Sequence, residues 1–145
     1  MIKEFEKFIK SQFGLEILTG GKAIFRSKKN GIQGLLEFIK KKKKSTKNLT
    51  PLRNKFLTGL TVFDKKVGNA VALLCVYLKA REVYGVIGSK TAEKTLKENK
   101  IKIHFLKTIP NIINKDETDI CPMERMSLSK TPEEFLDLLK TKGIC

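Results

Sequence analysis

Residues 56–106 read FLTGLTVFDKKVGNAVALLCVYLKAREVYGVIGSKTAEKTLKENKIKIHFL, and the periods within this stretch decide the fold class. Phe56 to Phe63 is β-branched and apolar on both faces, the pattern of a central strand covered from both sides. Asp64 follows, in the position of a helix N-cap. Lys65 to Leu78 is rich in alanine, valine and leucine and apolar nearly all round, which predicts a buried helix. Glu82 to Ile87 reads as another strand, Gly88-Ser89 turns into the polar helix Lys90 to Glu98, and Ile101 to Leu106 is a further strand. Strands alternating with helices imply parallel strands joined by right-handed crossovers.

Upstream, Ile2, Phe5, Phe8 and Ile9 fall at helical spacing among charged residues, predicting an amphipathic helix that ends before Gly14. Leu15 to Thr19 and Lys22 to Arg26 are short β runs separated by Gly20-Gly21, the signature of a hairpin. Asn30-Gly31 opens a second helix whose apolar face is Ile32, Leu35, Leu36, Phe38 and Ile39. That face ends in Lys40 to Lys44. Consecutive lysines repel one another and bury nothing, so about residues 42–54 read as a solvated connector. Downstream, 107–145 reads as a less regular C-terminal extension closed by a helix. Thr131, Pro132 and Glu134 form a capping-box start for it, and Gly143 is its stop. The whole is an α/β fold in a single domain, 1–145. A hairpin plus three strands joined by helices makes a mixed five-stranded sheet in a three-layer α-β-α arrangement.

Composition is consistent with this. A chain of 145 residues, 41% hydrophobic, can build one core without disulfides or metal. No apolar run approaches the roughly 20 residues of a membrane span, which argues against a membrane partner. Met1 to Lys10 has no uninterrupted apolar stretch of the kind a secretory signal needs. Three widely spaced cysteines, Cys75, Cys121 and Cys145, outline no disulfide framework, and a reducing cytoplasm is the expected location. The formal net charge of +15 would attract nucleic acid or anionic ligands. Arginine occurs only at 26, 53, 81 and 125, however, and base readout favours arginine. A solvated lysine surface accounts for the same composition.

Several strings carry a family resemblance: Lys29-Asn30-Gly31-Ile32 leading into Leu35-Leu36-Glu37, Asp64-Lys65-Lys66-Val67-Gly68-Asn69-Ala70, Ile112-Ile113-Asn114-Lys115-Asp116, and Cys121-Pro122-Met123-Glu124. Over about residues 10–140 the chain resembles the domain of unknown function 1893 family, which has no established reaction. The resemblance implies a cytidine-deaminase-like fold. At Asn69 the chain departs from the family pattern, where a basic residue is usual, and this weakens an anion-binding role for that position.

A zinc deaminase needs a His or Cys ligand two residues before a glutamate, and a Pro-Cys-x-x-Cys at the next crossover helix. By topology these belong near Asn30 to Gln33 and near Asp64 to Gly68, and neither place holds a suitable ligand. His104, the only histidine, lies mid-strand between Ile103 and Phe105, sharing strand parity with Lys102 and Leu106. No metal and no cofactor are therefore expected. Conventional zinc deamination is disfavoured, and the chain leaves open whether it catalyses anything else.

What remains is the carboxyl end of the parallel strands, where open α/β sheets bind ligands. Asp64, Lys65, Gly68 and Asn69 are expected there, at a helix start suited to phosphate or carboxylate. Asp64 serves either as a cap alone or as a cap that also touches ligand. Cys121 precedes Pro122 and so occupies a candidate N-cap, where a thiol pKa falls. Arg125 lies one turn on, and Glu124 could accept a proton or cap the same helix end. A purely structural cysteine fits equally. Cys121 and Asp64 are thus the catalytic candidates, and Lys65, Gly68, Asn69, Asn114 and Glu124 the ligand-binding ones. Three functions follow: binding of an unknown small-molecule or nucleotide-type ligand, with Cys121 and Asp64 within about 10 Å around a cleft; nucleic-acid binding through Lys40 to Lys44 and their neighbours; or thiol chemistry at Cys121. Oligomeric state is not legible in the residues.

Overall fold

A computed structural model describes residues 2–29, 32–46, 59–112 and 122–143. Helix α1 (Ile2–Lys10) leads to the hairpin β1 (Leu15–Thr19) and β2 (Lys22–Ser27), then α2 (Gln33–Thr46). Strand β3 (Thr61–Val67), α3 (Asn69–Tyr77), β4 (Glu82–Ser89), α4 (Lys90–Glu98) and β5 (Lys102–Ile109) follow, with α5 (Pro122–Ser127) and α6 (Pro132–Thr141) closing the chain.

The five strands form one mixed sheet in the order β2-β1-β3-β4-β5. β1 pairs antiparallel with both β2 and β3, while β3, β4 and β5 run parallel. The hairpin turn places Gly20 and Gly21 at φ of 56° and 79°. Two left-handed residues in succession give a turn whose twist matches the flanking strands, and glycine adopts them without steric cost.

Each face of the sheet has its own core. On one face α1 packs Phe5 and Phe8 against Leu18, Phe63 and Tyr84. The Phe63 ring lies 5.2 Å from those of Phe5 and Tyr84, at edge-type angles of 61° and 74°. On the other face α2, α3, α4 and α6 bury a larger aliphatic cluster that includes Leu35, Leu74, Leu96 and Leu139. α3 is buried through Cys75, as its all-round apolar composition predicts. α6 has the expected capping box, with Thr131 Oγ1 accepting from Glu134 N–H and Glu134 Oε1 accepting from Thr131 N–H. Gly143 takes φ of 70° just beyond it.

Several boundaries differ from expectation, and β4 runs two residues past Ile87, to Ser89. β3 does not stop before Asp64. It runs to Val67, because β1 still pairs at Leu15↔Asp64 and β4 pairs at Lys66↔Ile87 and Val67↔Gly88. Asp64 is therefore a mid-strand residue, and Gly68 is the N-cap of α3. The lysine run does not open a connector at residue 42, since α2 continues to Thr46. Lysine is a good helix former, and cations at a helix C-terminus meet the partial negative charge there. The rest of that expected connector, 47–54, lies outside the described residues, as do 56–58 of the first strand reading. Lastly, β5 extends to Ile109, so residues 107–109 belong to the sheet.

Candidate functional site

The carboxyl ends of β3 and β4 lead directly into α3 and α4, so both helix starts open at the same end of the sheet. α3 has a cap residue with no side chain: Gly68 is extended at φ −90° and ψ −179° and makes no side-chain cap bond. The first N–H groups of a helix need acceptors. Here the acceptor comes from a distant part of the chain. Asn69 N–H donates to Glu124 Oε2 at 2.6 Å, a charge-assisted bond from a helix start to a buried carboxylate.

The other oxygen of Glu124 faces α4. Thr91 Oγ1 donates to Glu124 Oε1 at 2.7 Å, and Ser89 Oγ lies 3.3 Å from the same atom. Ser89 is the N-cap of α4, accepting from Ala92 N–H at 3.0 Å, and its hydroxyl lies 2.9 Å from that of Thr91. One carboxylate, 2% exposed, is thus held by the starts of two helices.

Asn69 anchors the segment that carries Glu124. Its Nδ2 donates to Ser127 O and Ser127 Oγ at 3.0 and 3.1 Å, its Oδ1 accepts from Thr95 Oγ1, and Ser127 Oγ donates to Glu124 O at 2.6 Å. α5 is pinned across α3 and α4 by these bonds. Gly68 permits the close approach, because a Cβ there would overlap Glu124 Oε2 and lie 2.8 Å from Ile112 Cγ1.

Of the residues expected at this site, Gly68, Asn69 and Glu124 meet. Asp64 and Lys65 stand elsewhere. Asp64 is 4% exposed, on the same core as α3. Its Oδ1 accepts from Lys66 N–H at 3.0 Å, and its Oδ2 has no hydrogen-bond partner among the described residues. Burial drives its pKa well above its ordinary value of 3.8, against the opposing pull of the Lys66 and Lys65 N–H groups. Burial, and next the nearby Asp64 carboxyl, push the Cys75 thiol well up, so that thiol is no nucleophile. Lys65 turns to the opposite face. Its ammonium donates to the carbonyls of Phe8, Ile9 and Ser11 at 2.9, 2.9 and 3.0 Å, closing the C-terminus of α1. Burial lowers its pKa.

Cys121 and Asn114 lie outside the described residues. Ser89, Thr91, Thr95 and Ser127 were not among the expected site residues. Ser89 carried a signal, as a hydroxyl at a helix start after Gly88. The other three are ordinary surface-type residues until the tertiary fold gathers them. His104 is exposed on β5, stacked 4.1 Å from the Tyr84 ring with Nε2 3.3 Å from Glu82 Oε2. A recess of about 310 Å³ lies between α1 and the hairpin, where Arg26 pairs with Glu16 at 3.3 Å; neither Glu124 nor its partners line it.

These features define an α/β protein with an open mixed sheet whose polar centre lies where two parallel strands give way to helices. The chain belongs to the family of the domain of unknown function DUF1893, whose model matches residues 4–142. A crystal structure of a DUF1893 family protein from Thermotoga maritima is similar to it, with 28% identity over 97% of this chain and 86% of that one and a TM-score of 0.75. No curated protein matches. No helix among the described residues is long and apolar enough to cross a membrane.

Proposed function

We propose that this domain, a cytidine-deaminase-like fold without the zinc ligands, binds a small anionic ligand of nucleotide type at the carboxyl ends of β3 and β4. The observation that carries the reading is the placement of the Glu124 carboxylate. It is an internal anion bound where two helix starts converge, held by Asn69 N–H and Thr91 Oγ1. A phosphate or carboxylate group of a ligand would meet the same donors when α5 shifts, or an adjoining donor set when it stays. Gly68, Asn69, Ser89 and Thr91 are the contact residues in this reading, and Glu124 is the group the ligand competes with. Lys65 acts by fixing α1, and Asp64 acts from within the core. A cytoplasmic location goes with this reading.

Thermal melts with inorganic phosphate, nucleosides and nucleoside monophosphates test it, since a ligand that binds only the folded state raises Tm by mass action. Phosphate-bearing ligands are expected to raise Tm and bare nucleosides to raise it less. Glu124→Gln removes the internal charge while its amide can donate to Thr91 and Ser89, so its response to phosphate is expected to be larger than wild type. No response to any phosphate-bearing ligand, in either chain, would sink the reading.

A further inference from the structure

The opposite end of the parallel strands holds a feature that the ligand site does not use. α3 ends at its C-cap Leu78 and α4 at its C-cap Asn99, and each is followed by a lysine in the left-handed region, Lys79 at φ 57° and Lys100 at φ 60°. That position favours glycine. The segments leading into the strands then repeat one pattern: Lys79-Ala80-Arg81 enters β4 and Lys100-Ile101-Lys102 enters β5. The middle residue is buried in both, at 6% and 7% exposure, and the outer two are exposed in both.

The two segments are adjacent. Lys102 N–H donates to Arg81 O at 3.2 Å, and Arg81 N–H donates to Leu60 O at 2.8 Å, aligning the entries of three strands. Two cation–apolar–cation segments therefore lie side by side on neighbouring strands, whose spacing is about 4.8 Å. None of these four cations has a carboxylate partner among the described residues. Glu82, the acid at the start of β4, is engaged by Thr61 and His104.

We propose that this rim, formed by Lys79, Arg81, Lys100 and Lys102, is a docking surface for the phosphate backbone of nucleic acid. Unpaired, solvent-facing cations grouped on rigid strand entries are what neutralises successive phosphates and releases their counterions. Three of the four are lysines, which act as point charges, so binding is independent of base sequence. A lipid surface is the poorer fit. Interfacial binders add buried apolar side chains to their charge, and the exposed large apolar residues of the described chain, Ile24 and Leu106, are not on the rim. The surface is independent of the Glu124 site, so either can fail without the other.

Fluorescence anisotropy with a labelled single-stranded RNA of about 20 nucleotides is the test. With four phosphate contacts on a single strand, raising salt from about 50 to about 200 mM is expected to weaken binding roughly 50-fold. A rim variant combining Lys79→Asn, Arg81→Gln, Lys100→Asn and Lys102→Gln is expected to lose at least about tenfold in affinity and much of the salt slope. Asparagine tolerates the left-handed backbone, which protects the fold. Arg81→Gln and Lys102→Gln singly, at exposed positions, should each cost a few-fold. A control with the same net charge, Lys3→Gln, Lys10→Gln, Lys22→Gln and Lys28→Gln, should bind within about twofold of wild type, because those residues lie off the rim. Equal losses in the rim and control variants would reduce the effect to net charge and overturn the proposal. So would binding to phosphatidylserine vesicles or polyglutamate as tight as binding to the RNA.

Discussion

Two carboxyl groups are buried near the parallel strands, and their surroundings differ sharply. Glu124 is 2% exposed and receives a main-chain N–H from the start of α3 and a hydroxyl from the start of α4. Asp64 is 4% exposed, and its Oδ1 accepts from the Lys66 N–H, with Oδ2 left unpartnered among the described residues. Burial disfavours a charged group unless donors replace the lost water. Glu124 has those donors, and Asp64 is driven toward its neutral form. Two acids at similar depth thus take on different roles. One is a fastener between α5 and the two helix starts, and the other is a carboxyl that burial in an aliphatic core pushes toward its neutral form.

The contrast can be broken at either carboxyl. Glu124→Ala removes the shared acceptor and leaves the Asn69 N–H buried without a partner. It should cost roughly 2–4 kcal/mol in denaturant unfolding, with Glu124→Gln costing less; an Ala variant as stable as wild type would mean that α5 is not fastened there. Gly68→Ala intrudes on Glu124 Oε2 and Ile112 without removing a bond. Overpacking of this kind costs about 1–3 kcal/mol, and a neutral result would show that α5 can retreat freely. Asp64→Asn is the smallest change and has the opposite sign. It keeps an oxygen for the Lys66 N–H and has no charge to bury, so a gain of about 1 kcal/mol is expected near neutral pH. The native state holds the Asp64 proton that the unfolded chain releases, so wild-type stability declines as pH rises above about 4, the ordinary Asp pKa. The advantage of Asn should therefore vanish below that pH and grow above it. An advantage that does not change with pH would show that Asp64 is ionised in the native state.

Much of the architecture was legible because it rests on local periodicity. The Gly20-Gly21 hairpin, the α4 boundaries Lys90–Glu98 and the Thr131 capping box depend on backbone conformation and near-neighbour hydrogen bonds, which short strings encode. The end of β3 was not legible. Asp64, Lys65 and Lys66 look like the polar start of a helix, and they are strand residues because β1 and β4 pair with them from elsewhere in the chain. The lysine run misled for a related reason, since mutual repulsion argued for a connector while helix propensity carried α2 to Thr46. At the site, Gly68, Asn69 and Glu124 could be nominated from their strings, but the partners Thr91, Thr95 and Ser127 carry no local mark.

The sequence by itself determined the α/β class, the hairpin, the alternation of strands and helices and the family, because period and turn chemistry are properties of neighbouring residues. It also placed a helix start at Pro122, and α5 begins there. Tertiary structure alone decided which acid caps which helix. Asn69 and Glu124 are 55 positions apart, and Gly68 offers no side chain to cap its own helix. The acceptor had to come from a residue that only the folded chain brings near, and burial then left Asp64, the acid closer in sequence, in a core with too few donors to hold a charge.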